Sequence, residues 1–160
     1  MNKLIFLDVD GVMNNLKYIK SIADGFDNPY KQMDPAAVKL LNKITDTTGA
    51  KIVISSTWRL QFTDEPIALA LLINGYGITG SVIGMTDDQG PSRVNEIYRY
   101  YDHYRPDQFV IFDDDWMLQP GCSDYEKMAD FITGHFLKTH FDLGLTDRHV
   151  RKAIEILGSI

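Results

Sequence analysis

Three short apolar runs in this chain stop abruptly on oxygen-bearing side chains, and this repeated junction constrains the fold more than any other feature. Leu4-Ile5-Phe6-Leu7 runs into Asp8, Ile52-Val53-Ile54 into Ser55-Ser56, and Phe109-Val110-Ile111-Phe112 into Asp113-Asp114-Asp115. A continuous apolar run has no polar face to offer water, so it suits a strand buried on both sides, as in a parallel sheet covered by helices. The segments between the runs carry helical periodicity, and alternating strands and helices build an α/β sheet. In open parallel sheets, ligands collect outside the carboxyl ends of the strands. The three junctions therefore converge on one edge of the sheet.

The intervening segments fit this plan. Asp34-Pro35 opens a helix, with Asp34 as N-cap and Pro35 at the first helical position, where its missing N–H is not needed. Ala37, Leu41 and Ile44 form its apolar stripe, and Gly49 suits the C-terminal cap. A second helix is expected near residues 65–74 and a short third strand over 81–83. Ser92 is placed as the cap of a helix whose Tyr98, Tyr100, Tyr101 and Tyr104 mark a partly buried face. A fifth strand is expected over 135–138, then a final helix capped by Thr146 and carrying Val150, Ala153, Ile154 and Leu157. Residues 14–33 are long, irregular and mixed in character, and are read as a small flap beside the first strand's end, with a plain surface loop as the alternative. Residues 1–160 are expected to form a single domain.

Composition narrows the partners. The net charge is −6, from 16 Lys and Arg against 22 Asp and Glu. Extended wrapping of a nucleic-acid backbone needs a basic footprint and is not expected, whereas a phosphate-sized contact inside one cleft is compatible with this balance. The one cysteine, Cys122, cannot form an internal disulfide and reads as a space-filling residue in a reducing compartment. The N-terminal apolar run is too short for a signal peptide, and no run reaches membrane-spanning length. A cytoplasmic protein without membrane contact is the expectation.

Asp8-Val9-Asp10-Gly11 places two carboxylates just past a buried strand, and Asp113-Asp114-Asp115 adds three more at a neighbouring strand end. Either group alone could be an ordinary solvated turn. Crowded at one sheet edge, they repel one another unless a cation neutralises them. Magnesium fits, because it prefers oxygen ligands and takes one or two carboxylates alongside a substrate phosphate. The 4 histidines lack the spacing of a helical zinc site.

These stretches resemble the motifs of the haloacid dehalogenase superfamily of aspartate-nucleophile phosphatases. Leu7-Asp8-Val9-Asp10-Gly11-Val12 is similar to its first motif and Ile52-Val53-Ile54-Ser55 to its second. Arg93, where lysine is commoner, corresponds to the third, and Val110-Ile111-Phe112-Asp113-Asp114 to the fourth. A finer likeness, to the small haloacid-dehalogenase-like domains associated with RNA-repair proteins, rests on five stretches. They are Asp10-Gly11-Val12-Met13-Asn14, Ser55-Ser56-Thr57-Trp58-Arg59, Arg93-Val94-Asn95-Glu96-Ile97, Asp113-Asp114-Asp115 and Gly144-Leu145-Thr146.

The resemblance implies a Rossmann-like parallel sheet with the first strand central, a small flap and no large cap domain. It implies Asp8 as nucleophile and Asp10 as general acid and base, with phosphate bound by Ser55 (Ser56 being the alternative) and Arg93. Magnesium would be held by Asp8, the Asp10 backbone carbonyl, Asp113 and Asp114, with Asp115 behind them. Trp58 and Arg59 are either a base-stacking platform and a phosphate contact, or a packed ring and a partner of a surface acid. The expected activity is hydrolysis of phosphomonoesters on nucleotides or nucleic-acid ends, gripped at the terminal nucleotides with Lys17, Lys20, Lys31 and Arg59 near the mouth. The rivals are a phosphatase of small metabolites such as sugar phosphates and a non-catalytic regulatory module that binds metal and phosphate. The oligomeric state is not readable from the sequence.

Overall fold

The computed structural model describes residues 1–62 and 64–158. Along the chain run β1 (Lys3–Leu7), α1 (Leu16–Ile22), α2 (Pro35–Thr48), β2 (Lys51–Ile54), α3 (Pro66–Gly75) and β3 (Val82–Met85). Then follow α4 (Arg93–Tyr104), β4 (Gln108–Asp113), α5 (Tyr125–Ile132), β5 (Phe136–Lys138) and α6 (Asp147–Gly158). The strands form one sheet in the order β3-β2-β1-β4-β5, and every pairing is parallel. This is a Rossmann-like α/β architecture, and no cap domain is inserted among the described residues.

The apolar run of β1 is explained by burial on both faces: residues 4–7 are each 0% exposed. Ile5 and Leu7 enter a core built with Leu41 and Ile44 of α2, Ile73 of α3 and Ala153 and Leu157 of α6. Leu4 and Phe6 point the other way, into a core with Val94 and Ile97 of α4 and Met128 of α5. The tyrosines of α4 pack around this second core, with Tyr98 edge-on to Phe131 at 5.0 Å. Cys122 packs against it too.

Local chemistry sets the helix ends. Asp34 accepts from the Ala36 N–H at 2.9 Å, and α2 stops at Gly49, whose φ of 69° is the left-handed C-cap conformation. Ser92 precedes α4, but its hydroxyl bonds the Asn95 side chain at 2.6 Å instead of a backbone N–H. The third strand begins one residue later than expected and runs on to Met85. α5 carries no sequence signal for its start, because Asp124 enters it at φ 53° without a side-chain cap.

Residues 14–33 are more ordered than a plain loop. They fold as α1, capped by Asn15 on the Tyr18 N–H, followed by two 3₁₀ turns, Ala23–Gly25 and Pro29–Lys31. Tyr76 Oη ties this segment to α3's end by donating to the Lys31 carbonyl at 2.6 Å.

Topology places the crevice. The chain builds outward from β1 to β2 and β3, then α4 carries it to β4 on the opposite side of β1. Strand order reverses between β1 and β4, and a crevice opens at the carboxyl ends of those two strands. No helix among the described residues is long and apolar enough to cross a membrane.

Candidate active site

Strand register aims the junction residues. Phe6 pairs with Val53 on one side and Ile111 on the other, and all three face the α4 and α5 core. Side chains alternate along a strand, so the next residues on that face are Asp8, Ser55 and Asp113. Backbone bonds carry the sheet through them: Asp8 N–H donates to the Phe112 carbonyl at 3.0 Å and Ser55 N–H to the Leu7 carbonyl at 2.9 Å. All three thus face the N-terminus of α4, whose first residue is Arg93.

Arg93 Nη1 lies 3.1 Å from Asp8 Oδ1 and 3.1 Å from Asp113 Oδ2, and donates to the Ser55 carbonyl at 2.6 Å. One guanidinium cannot balance two buried carboxylates, which are 6% and 2% exposed. Burial pushes the Asp8 carboxyl up to about 7; the like charge of Asp113 adds to this and Arg93 opposes it. Burial likewise lifts Asp113 to about 6, against the pull of Arg93 and of the Asp115 N–H that it accepts. Both acids therefore hold their protons to higher pH than free carboxylates do.

Asp8, Asp113 and Asp114 each offer a carboxylate oxygen, and these atoms lie within 4.8 Å of one another. The set is all oxygen, which suits a hard divalent cation such as magnesium. Gly11 makes room for it. At φ 75° the backbone is in the left-handed region, and a Cβ there would collide with the Asp114 carboxylate. Burial raises Asp114 as well.

Asp10 stands apart from this cluster and has its own holders. Asn14 Nδ2 donates to its Oδ1 at 2.8 Å and Trp58 Nε1 to its Oδ2 at 3.2 Å. Asn14 is itself fixed, accepting the Gly11 N–H at 2.9 Å and donating to the Tyr30 carbonyl at 3.1 Å. The flap therefore acts on the site by orienting Asp10 through Asn14.

The two serines divide their roles. Ser56 hydrogen-bonds Asp8 and accepts the Trp58 N–H at 3.3 Å. Ser55 Oγ is buried without a hydrogen-bond partner among the described residues, on the same sheet face as Asp8. Buried hydroxyls are seldom left so, and a phosphoryl oxygen is a natural acceptor.

Trp58 and Arg59 are not at the surface; each is 5% exposed. Trp58 packs beside Tyr76 with Lys31 Nζ 4.8 Å over its ring. Arg59 holds the carbonyls of Ser56, Thr86 and Asp87 at 2.7, 3.0 and 3.0 Å. Its acid partner is the buried Glu96, at 2.7 Å, and not a surface residue. Burial outweighs pairing on both partners, lowering the Arg59 pKa and raising that of Glu96. Arg59 is thus an internal clamp on the loops after β2 and β3, although its side chain also lines the cavity wall.

The site opens into a cavity of about 480 Å³, bordered by Asp8, Asp10, Thr57, Arg93, Asp113 and Trp116. Lys17, Lys20 and Lys31 are not among its described lining residues. The cation at its margin is Lys138, whose Nζ donates to the Asp114 carbonyl at 2.7 Å. Pairing of β5 with β4 places Lys138 opposite Asp113. Nothing in the linear sequence connects the two.

The raised acids set a pH dependence. An acid whose folded pKa exceeds its unfolded value binds more protons when folded, so its contribution to stability falls as pH rises between the two values. For Asp8 that window runs from 3.8 up to about 7. In metal-free protein, Asp8→Asn is expected to melt at a progressively higher temperature than wild type across that window, by several degrees at its upper end. Thermal melts in chelator at stepped pH check this; a gap that stays constant would contradict the burial of the pair.

A doubly wound parallel sheet with buried aspartates at its switch point, an arginine between them and a second aspartate two residues on has the form of a haloacid dehalogenase-type hydrolase. Residues 4–150 match the family described as the HAD domain in Swiss Army Knife RNA repair proteins, and the chain belongs to that family. Among solved structures it is similar to a haloacid dehalogenase-like family hydrolase from Streptococcus pneumoniae, at 12% identity and a TM-score of 0.47, over 96% of this chain and 90% of that one. No curated protein matches the chain.

Proposed function

We propose that this domain is a magnesium-dependent phosphomonoester hydrolase that works through a phospho-aspartate on Asp8, with nucleotide or nucleic-acid terminal phosphates as substrates. One observation carries it: Asp8 and Asp113 share Arg93 in a buried pocket, while Asp10 is separately held for proton transfer.

In the first step an Asp8 carboxylate oxygen attacks phosphorus and the bond to the leaving oxygen breaks. Protonated Asp10 gives that oxygen its proton. Arg93 and the Ser55 hydroxyl bond the transferring phosphoryl oxygens, which spread the developing charge. In the second step water attacks phosphorus, Asp10 takes the water's proton, and the bond to Asp8 breaks to release inorganic phosphate. Asp8, Asp113 and Asp114 would hold magnesium, joined by the Asp10 carbonyl as the family likeness implies, and the ion would supply charge neutralisation for the acids and the phosphate together. Ser56 keeps Asp8 oriented.

The family's description supports a nucleic-acid end as substrate, as does a cavity with no cap domain over it among the described residues. With magnesium present, terminally phosphorylated oligonucleotides and mononucleotides are expected to be hydrolysed at kcat/KM values no lower than those for sugar phosphates. Phosphate release across such a panel, with chelator as control, is the test. A strong preference for a sugar phosphate, with oligonucleotides inert, would instead favour the metabolite phosphatase.

A further inference from the structure

We propose that the basic groove between β5 and α6 is the track for a single-stranded polynucleotide whose terminal phosphate enters the Asp8 cavity. The placement of that terminus rests on the phosphatase proposal; binding of the strand does not.

The groove has a volume of about 720 Å³, and Lys138, His140, Arg148, Arg151 and Lys152 line it with Glu155. In a chain of net charge −6, this is a local concentration of the minority charge. Arg148, Arg151, Lys152 and Glu155 follow helical spacing on one side of α6, while Val150, Ala153 and Leu157 fill the core. Lys152 is engaged by Glu155 at 3.0 Å. Arg148 and Arg151 are exposed and have no ion-pair partner among the described residues. His149, also on the groove wall, donates through Nε2 to the Lys138 carbonyl, 2.9 Å away. Burial holds its imidazole below the ordinary value, and the charges of Arg148 and His140 push the same way.

Groove and cavity meet at one pair of residues. Lys138 lies in the groove, bonds the Asp114 carbonyl at 2.7 Å, and stands 5.0 Å over the Trp116 ring. Trp116 lines the Asp8 cavity and is 67% exposed. An exposed indole backed by a cation is a stacking surface for a base of any identity. Beyond it, Arg148 and Arg151 offer forked donors for backbone phosphates. A phosphate pocket, a stacking ring and a cationic groove in succession fit a polynucleotide end. An acidic peptide would match the charges but leave the ring unused. The contact stays within one groove, yet it extends past the terminal nucleotides that composition alone suggested.

The test is fluorescence anisotropy with a labelled, terminally phosphorylated single-stranded oligoribonucleotide. Wild type is compared with the double variant Arg148→Gln, Arg151→Gln, with melting curves confirming that both are folded. The variant is expected to bind at least about tenfold more weakly, and its slope of log K against log salt to be shallower by about 1.4, near 0.7 for each lost charge on a single strand. Equal binding by the two proteins, no binding by wild type at low salt, or displacement by polyglutamate as effective as by unlabelled oligoribonucleotide would each overturn the groove. Aryl phosphate hydrolysis by wild type is measured in parallel. Its absence would refute the phosphatase proposal without touching the binding result, so the two failures are distinguishable.

Discussion

Replacing Asp8 by asparagine is expected to reduce magnesium-dependent hydrolysis of an aryl phosphate by on the order of 10⁴-fold or more, the scale seen when a nucleophile is removed from a preorganised site. The substitution changes almost no volume. It removes the negative oxygen that must attack phosphorus, and an amide cannot replace it in forming a hydrolysable acyl phosphate. The fold should survive. Asp8 is surrounded by Arg93, Ser56 and Asp113, and losing its charge leaves one guanidinium facing one buried carboxylate. Repulsion between the acids disappears, so the inactive variant should also be the more stable one in chelator near neutral pH. Loss of activity together with gain of stability separates a chemical role from a structural one. A folded Asp8→Asn protein turning over near the wild-type rate would refute the covalent mechanism.

Asp10→Asn is expected to slow turnover by about 10²–10⁴-fold, the usual range for general acid–base catalysis, and to trap the intermediate. With an activated ester whose leaving group needs no proton, attack by Asp8 proceeds. The second half-reaction lacks its base, so acid-quenched protein should carry phosphate. The structure adds a constraint on this variant. Both Asp10 carboxylate oxygens are acceptors, one for Asn14 Nδ2 and one for Trp58 Nε1. An amide can satisfy only one of these donors, and its own NH₂ meets the other. A loss of about 1–3 kcal/mol in stability is therefore expected, so phosphoenzyme must be scored on the folded fraction. Wild-type rates with activated esters would show that Asp10 is not the base.

The acidic junctions were visible in the sequence because burial writes itself into composition. A strand covered on both faces must be apolar throughout, so the positions where Leu7, Ile54 and Phe112 give way to polar residues are conspicuous. Asp34-Pro35 and Gly49 were equally plain, since caps act through backbone groups only a few residues away. The helix α5 lacked any such signal. Its entry at Asp124 uses a left-handed residue with no cap, and its one fully buried apolar residue, Met128, is meaningful only against the sheet.

Trp58 and Arg59 show the opposite limit. Their position after Ser55 left a substrate-facing surface and a packed pair both open, and the structure turns the indole to Asp10 and the guanidinium to Glu96. Partners 48 and 37 residues away decide both orientations. Of the cations expected at the mouth, Arg59 lines the cavity, whereas Lys17, Lys20 and Lys31 belong to the flap and are not among its described lining residues. Lys138 reaches the site instead because β5 pairs with β4.

From its sequence alone, this chain determined the alternation of strands and helices, the buried central strand, the sheet edge that gathers the acids and the residue types able to bind a hard cation. Each follows from periodicity, burial or capping, which act over a few residues. Only the tertiary structure decided which acids share Arg93, which donors hold Asp10, that Ser56 and not Ser55 bonds Asp8, and where positive charge collects on an acidic protein. Those outcomes depend on strand order and register, which bring together residues such as Arg93 and Asp8 that are distant in the chain, and no local pattern encodes that proximity.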